Sequence, residues 1–517
     1  MKTDGQMDRG TGMHTDSSAT HRTAESPPAR ARFLSEADCH EIAGRLARFA
    51  KGGGYTTTTI VSSWTGNVRW ARNQVVSSGD VRNNHVVVNR NLRGASSPYV
   101  HINDVSDAAL VAAARRAERL AQLGAEVPEY DLALQYKPES YATPSLFSEA
   151  TYQLEAGKRA EAARQLVRSA KEAGMLSAGY IEVSAHSMAF INSMGYARYF
   201  QYTWAQYSVT VRDPKGVGSG WAGVDWHDWN KIDGEKVSAI ALEKCLKSRN
   251  PVVIEPGRYT TILEPQAVCD LLGALMFDIG GTSPFLYGSL TRDGNQASAE
   301  GPFNKVPSGN QISGVSKLGE KVMDERITIS SDPMDPELGF PPFPGLQNMF
   351  DTFSSQVDVY HPVTWIEQGI LKTLAEGREG MVRKFGQANG VLNSGSFRMS
   401  VTGPQSSIEE MIATTKRGLL VTRLSEVTQL IFRSQLCRGY TRDGVWLIEN
   451  GKISHPVKNL VFTESPLFAL NKVDLLGTPQ RVFHPKRKYA WWMVPQPVIV
   501  PALKVSDFSF TALSDAI

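Results

Sequence analysis

The sequence predicts an α+β protein: N-terminal and middle αβ layers, then a large β-rich C-terminal domain. Three observations carry this reading. Helical and strand-like periods take turns through the first half of the chain. From Val252 onward short strands and turns dominate. No repeat of roughly 20–50 residues is visible that would suggest a solenoid or propeller.

Residues 1–32 are rich in Ser, Thr, Asp, Gly, Pro and His, with five basic and four acidic side chains and no apolar period. They read as a disordered tail. A helix follows near 35–50. Ser35 is its N-cap, Glu36 and Asp38 suit the first turn, and Ile42, Ala43, Leu46, Phe49 and Ala50 make one apolar face. Gly52-Gly53-Gly54 stops it. The period then changes to two, giving strands at Thr56–Ser62, Val68–Val76, Asn83–Arg90 and 97–102, with Gly79–Asn84 as a turn. Asp107–Leu123 is an Ala-rich helix ended by Gly124. Together these form an N-terminal αβ domain over 33–145, closed by a Pro- and Tyr-bearing linker at 126–148.

The middle αβ domain, 146–250, opens with a long helix over Glu149–Ala173. Strands at 178–185, 188–193 and 198–213 follow, then a helix at 235–248. The third domain, 251–517, starts with a buried strand at Val252-Val253-Ile254, a strand at 258–263 and a helix at about 266–277. A Gly/Ser/Pro-rich region (280–345) gives way to short strands and turns, with one more helix at 406–415 capped by Ser406-Ser407.

Composition narrows the function classes. Lys+Arg number 55 against 52 Asp+Glu, for a net charge of +3, which gives no electrostatic footprint for nucleic acid or an anionic membrane. Apolar runs are too short for a transmembrane helix, and neither a secretory signal nor a lipidation box is expected. Four scattered Cys and no CxxC pair exclude a disulfide scaffold and a zinc ribbon, so a reducing cytoplasmic setting fits.

The usual catalytic constellations are missing. There are ten His, no two within five residues, and no HExxH. His40-Glu41-Ile42-Ala43-Gly44-Arg45 starts like that motif, but Arg45 takes the wrong place and the run belongs to an amphipathic helix. Asp225-Trp226-His227-Asp228-Trp229 gathers carboxylates around one His. Such a cluster suits a cation or an acid–base pair, but one His is a poor metal set, and an exposed aromatic loop is the preferred reading. Cys245 and Cys269 lie on helices and read as buried small hydrophobes. No GxSxG elbow or P-loop occurs, and the glycines at 273, 280 and 281 do not open a helix as dinucleotide binding requires.

Several segments, in order, resemble the TldD/PmbA family. They are Arg69-Trp70-Ala71-Arg72-Asn73-Gln74 through Val86-Val87-Val88, Trp365-Ile366-Glu367-Gln368-Gly369-Ile370-Leu371, Thr414 to Arg423, and Gly444 to Ile453 with His455-Pro456-Val457. Phe350-Asp351 stands where family members carry F-D-x-E-G, here without the Glu-Gly. The resemblance spans roughly residues 35–517. It implies a C-terminal domain of metallopeptidase type. TldD-like members carry His-Glu-x-x-x-His on the helix that opens this domain and a Cys near the C-terminus; TldE-like (PmbA) members lack them. The matching segment here is Leu263 to Gly273, with Glu264, Gln266, Cys269 and Asp270 as its polar or thiol groups and no His. No Cys follows Cys437. Zinc wants three protein ligands, usually including His, so this degenerate segment offers no metal site and no catalytic residue.

The resemblance therefore implies a TldE/PmbA-like subunit of a TldD–TldE-type metalloprotease that acts on unfolded or flexible peptides. Zinc is expected in a TldD-like catalytic partner of a heterodimer, with no cofactor in this chain. The alternatives are a free-standing protein-binding regulator of the gyrase-modulator type and a divergent peptidase with a site around Asp225, His227 and Asp228.

Overall fold

The computed structural model describes residues 33–51, 53–92, 95–96, 99–124, 141–279, 319–343, 359–373, 394–431, 435–484 and 495–514. The expected tail at 1–32, most of the linker and of the Gly/Ser/Pro-rich region, and Phe350-Asp351 lie outside them.

Helix α1 (Glu36–Phe49) starts at a full capping box: Ser35 accepts from the Asp38 amide, and the Asp38 carboxylate accepts from the Ser35 amide. Strand β1 (Tyr55–Ala71) runs unbroken where two short strands were expected. It turns through Arg72 and Asn73, both at positive φ, into β2 (Gln74–Leu92). Gly79–Asn84 is therefore strand, not turn. Short strands β3 (Ala95–Ser96) and β4 (Val100–Ile102) pair with the end of β2. Helix α2 occupies Asp107–Leu123 as read from the sequence, capped by Ser106.

The expected long helix is interrupted. A single turn, α3 (Glu149–Tyr152), precedes α4 (Ala156–Glu172). Strands β5 (Leu176–Asn192), β6 (Ala197–Arg212) and β7 (Ser219–Trp226) follow, then α5 (Gly234–Lys247). All seven strands form one sheet in the path β3-β2-β1-β5-β6-β7, with β4 on β2. On one face, Ile60, Val86, Val88, Ala189 and Ile191 pack under α1 and α2, while Val68, Ile181, Tyr207 and Val209 pack under α4 and α5. On the other face Val61, Val87, Met188, Phe200 and Tyr202 meet Phe343 and Val359.

The C-terminal half is two sheets sharing a core with one helix. Val252–Ile254 makes a single bridge to Val457 rather than a strand, and Val253 is 56% exposed, because only Ile254 turns inward. Strand β8 (Gly257–Leu263) leads into α6 (Pro265–Ile279). The six-stranded sheet contains β9 (Ile327–Ser331), β10 (Val363–Glu367), β11 (Ile370–Leu371), β12 (Phe397–Val401), β20 (Gln480–Val482) and β21 (Val498–Val500). The nine-stranded sheet joins β8 to β13 (Arg417–Val421), β14 (Leu424–Ile431), β15 (Leu436–Thr441), β16 (Val445–Glu449), β17 (Lys452–Pro456), β18 (Leu460–Glu464), β19 (Val473–Leu476) and β22 (Leu503–Leu513). Helices α7 (Ile408–Ala413), capped by Ser407, and α8 (Pro466–Leu470) complete the half. Leu271, Leu272 and Leu275 of α6 share one apolar core with Ile329, Trp365 and Phe397 of one sheet and Leu419, Val421 and Phe508 of the other. The β16–β17 hairpin turns at Asn450 and Gly451, both at positive φ, as an Asn-Gly turn requires.

Candidate functional site

The degenerate segment opens helix α6. This helix is apolar nearly all round, as befits a helix buried in a core. Gln266 and Asp270 break that pattern four residues apart, so they share one face. The fold has found a protein partner for each. Gln266 Nε2 donates to Asp270 Oδ1 at 3.1 Å and to the Phe483 carbonyl at 3.0 Å. Asp270 Oδ2 accepts from the Leu424 amide at 2.9 Å, fixing the start of β14. Burial pushes the Asp270 carboxyl up to about 6, against the pull of Arg423 and its hydrogen bonds.

Glu264 precedes the helix and pairs with Lys244 of α5 at 2.6 Å. Cys269 is fully buried, and burial beside Asp270 and Asp225 drives its thiol well above the ordinary range. Zinc requires a thiolate, yet this pocket disfavours one. The two carboxylates are already engaged with Lys244 and with the Leu424 amide. The segment does not fit a zinc ion. Among the described residues, no three His, Cys, Asp or Glu side chains gather closely enough to hold a metal.

The hydrogen bond to Phe483 leads to a second buried group that the sequence reading placed wrongly. Asp225 is not in an exposed loop; it is 1% exposed and sits in β7. Arg481 of β20 donates to Asp225 Oδ1 at 3.0 Å through Nη2 and at 3.3 Å through Nε. The His484 amide donates to Asp225 Oδ2 at 2.9 Å. The Arg481 guanidinium also lies 4.1 Å from the Trp226 ring centre and 5.4 Å from that of Trp204. Burial pushes Asp225 up and Arg481 down; their mutual attraction opposes both shifts. This buried pair explains the error: its partner lies 256 residues along the chain.

The rest of the cluster is structural too. Asp228 Oδ1 caps the short turn Trp229–Lys231 and accepts from Ser148 at 2.9 Å. The His227 carbonyl accepts from Thr151 and Thr203. Burial and the nearby Arg481 charge hold the His227 ring below its ordinary range. With Asp225 bound to Arg481, the cluster does not form an acid–base pair. Cys245 is buried, as the sequence suggested.

A parallel joint lies nearby. Arg423 stacks 4.2 Å from the Trp221 ring centre and pairs with buried Asp443 at 3.3 Å, while Ser219 of β7 donates to Asp443. Two arginines of the C-terminal half thus clasp β7. Sequence reasoning missed Arg481, Arg423 and Asp443. The available signal was the run of Trp and acidic residues, which offers a cation both a ring face and a charge.

Residues 256–512 match the family model of the PmbA/TldA metallopeptidase C-terminal domain. No curated protein matches the chain. Solved structures share the fold, three of them as follows. A candidate modulator of a DNA gyrase from Thermotoga maritima superposes with a TM-score of 0.68 at 16% identity, covering 91% of this chain and 100% of its own. A candidate modulator of DNA gyrase from Bacteroides thetaiotaomicron gives 0.70 at 16%, covering 93% and 100%. TldE from Thermococcus kodakarensis gives 0.69 at 14%, covering 92% and 99%.

Proposed function

Since the chain belongs to the PmbA/TldD family through its C-terminal domain, we propose that it is the TldE/PmbA-like, non-catalytic subunit of a TldD–TldE-type metalloprotease. One observation carries the proposal. Every polar side chain of the segment that would need to hold metal is tied to this chain's own groups: Glu264 to Lys244, Gln266 to Phe483, and Asp270 to Leu424. A wired segment of this kind supports a scaffold role. In this reading a TldD-like partner brings the zinc and the general base. This chain contributes part of the chamber and of the subunit contact.

The substrate class is an unfolded or flexible peptide. Strand addition recognises such a chain by its backbone, and the β-rich half has a strand suited to it. β14 ends the nine-stranded sheet, and its Leu430 and Ile431 are about half exposed.

The test is co-expression with a paralogue that carries His-Glu-x-x-x-His. The expected result is stable one-to-one co-purification, with peptidase activity in the mixture and none in this chain alone. Peptide cleavage by the isolated chain would overturn the proposal.

A further inference from the structure

Arg423 stands between two buried carboxylates. It precedes β14, and its guanidinium lies 4.2 Å from the Trp221 ring centre. A single contact ties it to Asp443, from Nη1 to Oδ2 at 3.3 Å. Its Nε is buried and makes no hydrogen bond. A guanidinium well matched to a carboxylate is commonly held by two parallel bonds, so this one is held loosely and keeps a donor in reserve. On its other side is Asp270, whose Oδ2 accepts from the amide of the very next residue, Leu424. Arg423 is near enough to pull the Asp270 carboxyl down against its burial.

The two carboxylates are unequally provided for. Asp443 also accepts from Ser219 and has Arg442 at 3.9 Å, so losing Arg423 would not strand it. Among the described residues, Asp270 has only neutral donors, the Leu424 amide and Gln266 Nε2. These suffice for a protonated carboxyl, whereas an ionised one at this depth calls for a cation. The other groups around α6 are engaged elsewhere. Asp225 holds Arg481, Glu264 holds Lys244, and burial keeps Cys269 a thiol. On β8, Arg258 pairs with Asp507 and Tyr259 bonds the Glu255 carbonyl. Glu426 of β14 faces solvent, and β21 and α8 bring no titratable side chain. His484 follows Phe483, whose ring packs on Trp221.

We propose that Arg423 is a pH-operated arm in the joint between the two halves: it rests on Asp443 and Trp221 while Asp270 is protonated, and turns from Trp221 to Asp270 when that proton leaves. The proton goes to solvent, and the charge it uncovers is what draws the guanidinium across. Burial of Asp270 sets the change at about pH 6. The Arg423 joint with β7 is therefore closed on the acid side and released on the neutral side. The Arg481 joint does not follow it, because Asp225 already holds its cation through two bonds. The arm is a property of the isolated chain and is independent of the proposed subunit role.

Trp221 emission in the full chain reads the arm, because a cation over the indole face perturbs the ring. The signal is the difference between the chain and Trp221→Phe, recorded from about pH 4 to about pH 8. The expected result is one transition with its midpoint at about 6. It should be lost in Asp270→Asn and, separately, in Arg423→Gln, each checked for an unchanged circular-dichroism spectrum. In Arg423→Gln the pH-dependent step in urea stability should remain and move to higher pH, because the cation that favours ionised Asp270 is gone. Should Arg423→Gln fail to fold, the comparison with the near-isosteric Asp270→Asn still decides. Trp221 emission that stays flat across the range would overturn the proposal. So would a transition that survives Asp270→Asn, which would belong to another group such as His484 behind Phe483. An Arg423→Gln chain whose Trp221 signal titrates like the original would overturn it too.

Discussion

Asp225 and Arg481 hold the two halves together at a point where water is excluded. Two buried charges are costly, and their pairing repays the cost only while both partners stay. Asp225→Ala would strand the guanidinium among Trp226 and Trp204 without its carboxylate. We expect a loss of about 3–5 kcal/mol in urea unfolding. Asp270 behaves differently, because burial raises its carboxyl to about 6 from an ordinary 3.8. Between those values the unfolded chain has lost the proton and the folded chain retains it. The Asp270 contribution is thus fully present below pH 4 and is lost as pH rises through about 6. Asp270→Asn keeps an acceptor for the Leu424 amide and removes the ionisation. It should flatten the pH dependence of stability across that window, by on the order of 3 kcal/mol at most. An unaltered slope in pH-dependent urea melts would contradict this. Glu264→Ala breaks a pair whose side chains are 19–20% exposed, so its cost should stay within about 1 kcal/mol. In a reconstituted complex the same substitution should leave peptidase activity unchanged, because Glu264 is assigned no catalytic step.

Elements make the halves fit. β7 approaches α5 so closely that Gly220 is required: a Cβ there would lie 2.1 Å from the Ala241 carbonyl oxygen and 2.4 Å from the Cys245 amide nitrogen. Both obstacles are backbone, so Gly220→Ala must displace the helix. We expect a destabilisation of about 3 kcal/mol, read as a lowered thermal midpoint. Much of this level was legible in the sequence. Ser35 with Asp38, and the Ala-rich run Asp107–Leu123 closed by Gly124, mark two helices by local chemistry that tertiary context did not override. Strand lengths were not legible. The break expected between Ser62 and Val68 is strand instead: Ser63 and Trp64 are buried, and Gly66 pairs with Asp80 on one side and Val183 on the other. The long helix failed for a similar reason: Leu154 is drawn into the core beside Trp64, and the chain breaks there to reach it. The site was legible only as a lack. Missing His showed that α6 carries no metal motif, while the network that ties Gln266, Asp270 and Asp225 spans segments over two hundred residues apart in sequence.

At the scale of the whole molecule, the described residues form one large sheet with α1, α2, α4 and α5 on a face, which abuts a two-sheet half built around α6. Among the described residues, no helix is long and apolar enough to cross a membrane. Residues 256–512 of that half match the PmbA/TldA metallopeptidase C-terminal domain. Its opening helix is wired into that framework by hydrogen bonds rather than left open for an ion. The two joints on β7, Arg481 with Asp225 and Arg423 with Asp443, brace the same strand at two points. The proposed subunit role gives this chain stiffness and shape and leaves the chemistry to a partner. Zinc content of the purified full chain, taken after dialysis against a weak chelator, tests that division most directly. The expected result is far less than one zinc per chain, unchanged by Cys269→Ser. One tightly held zinc per chain, lost in Cys269→Ser or Asp270→Asn, would contradict it.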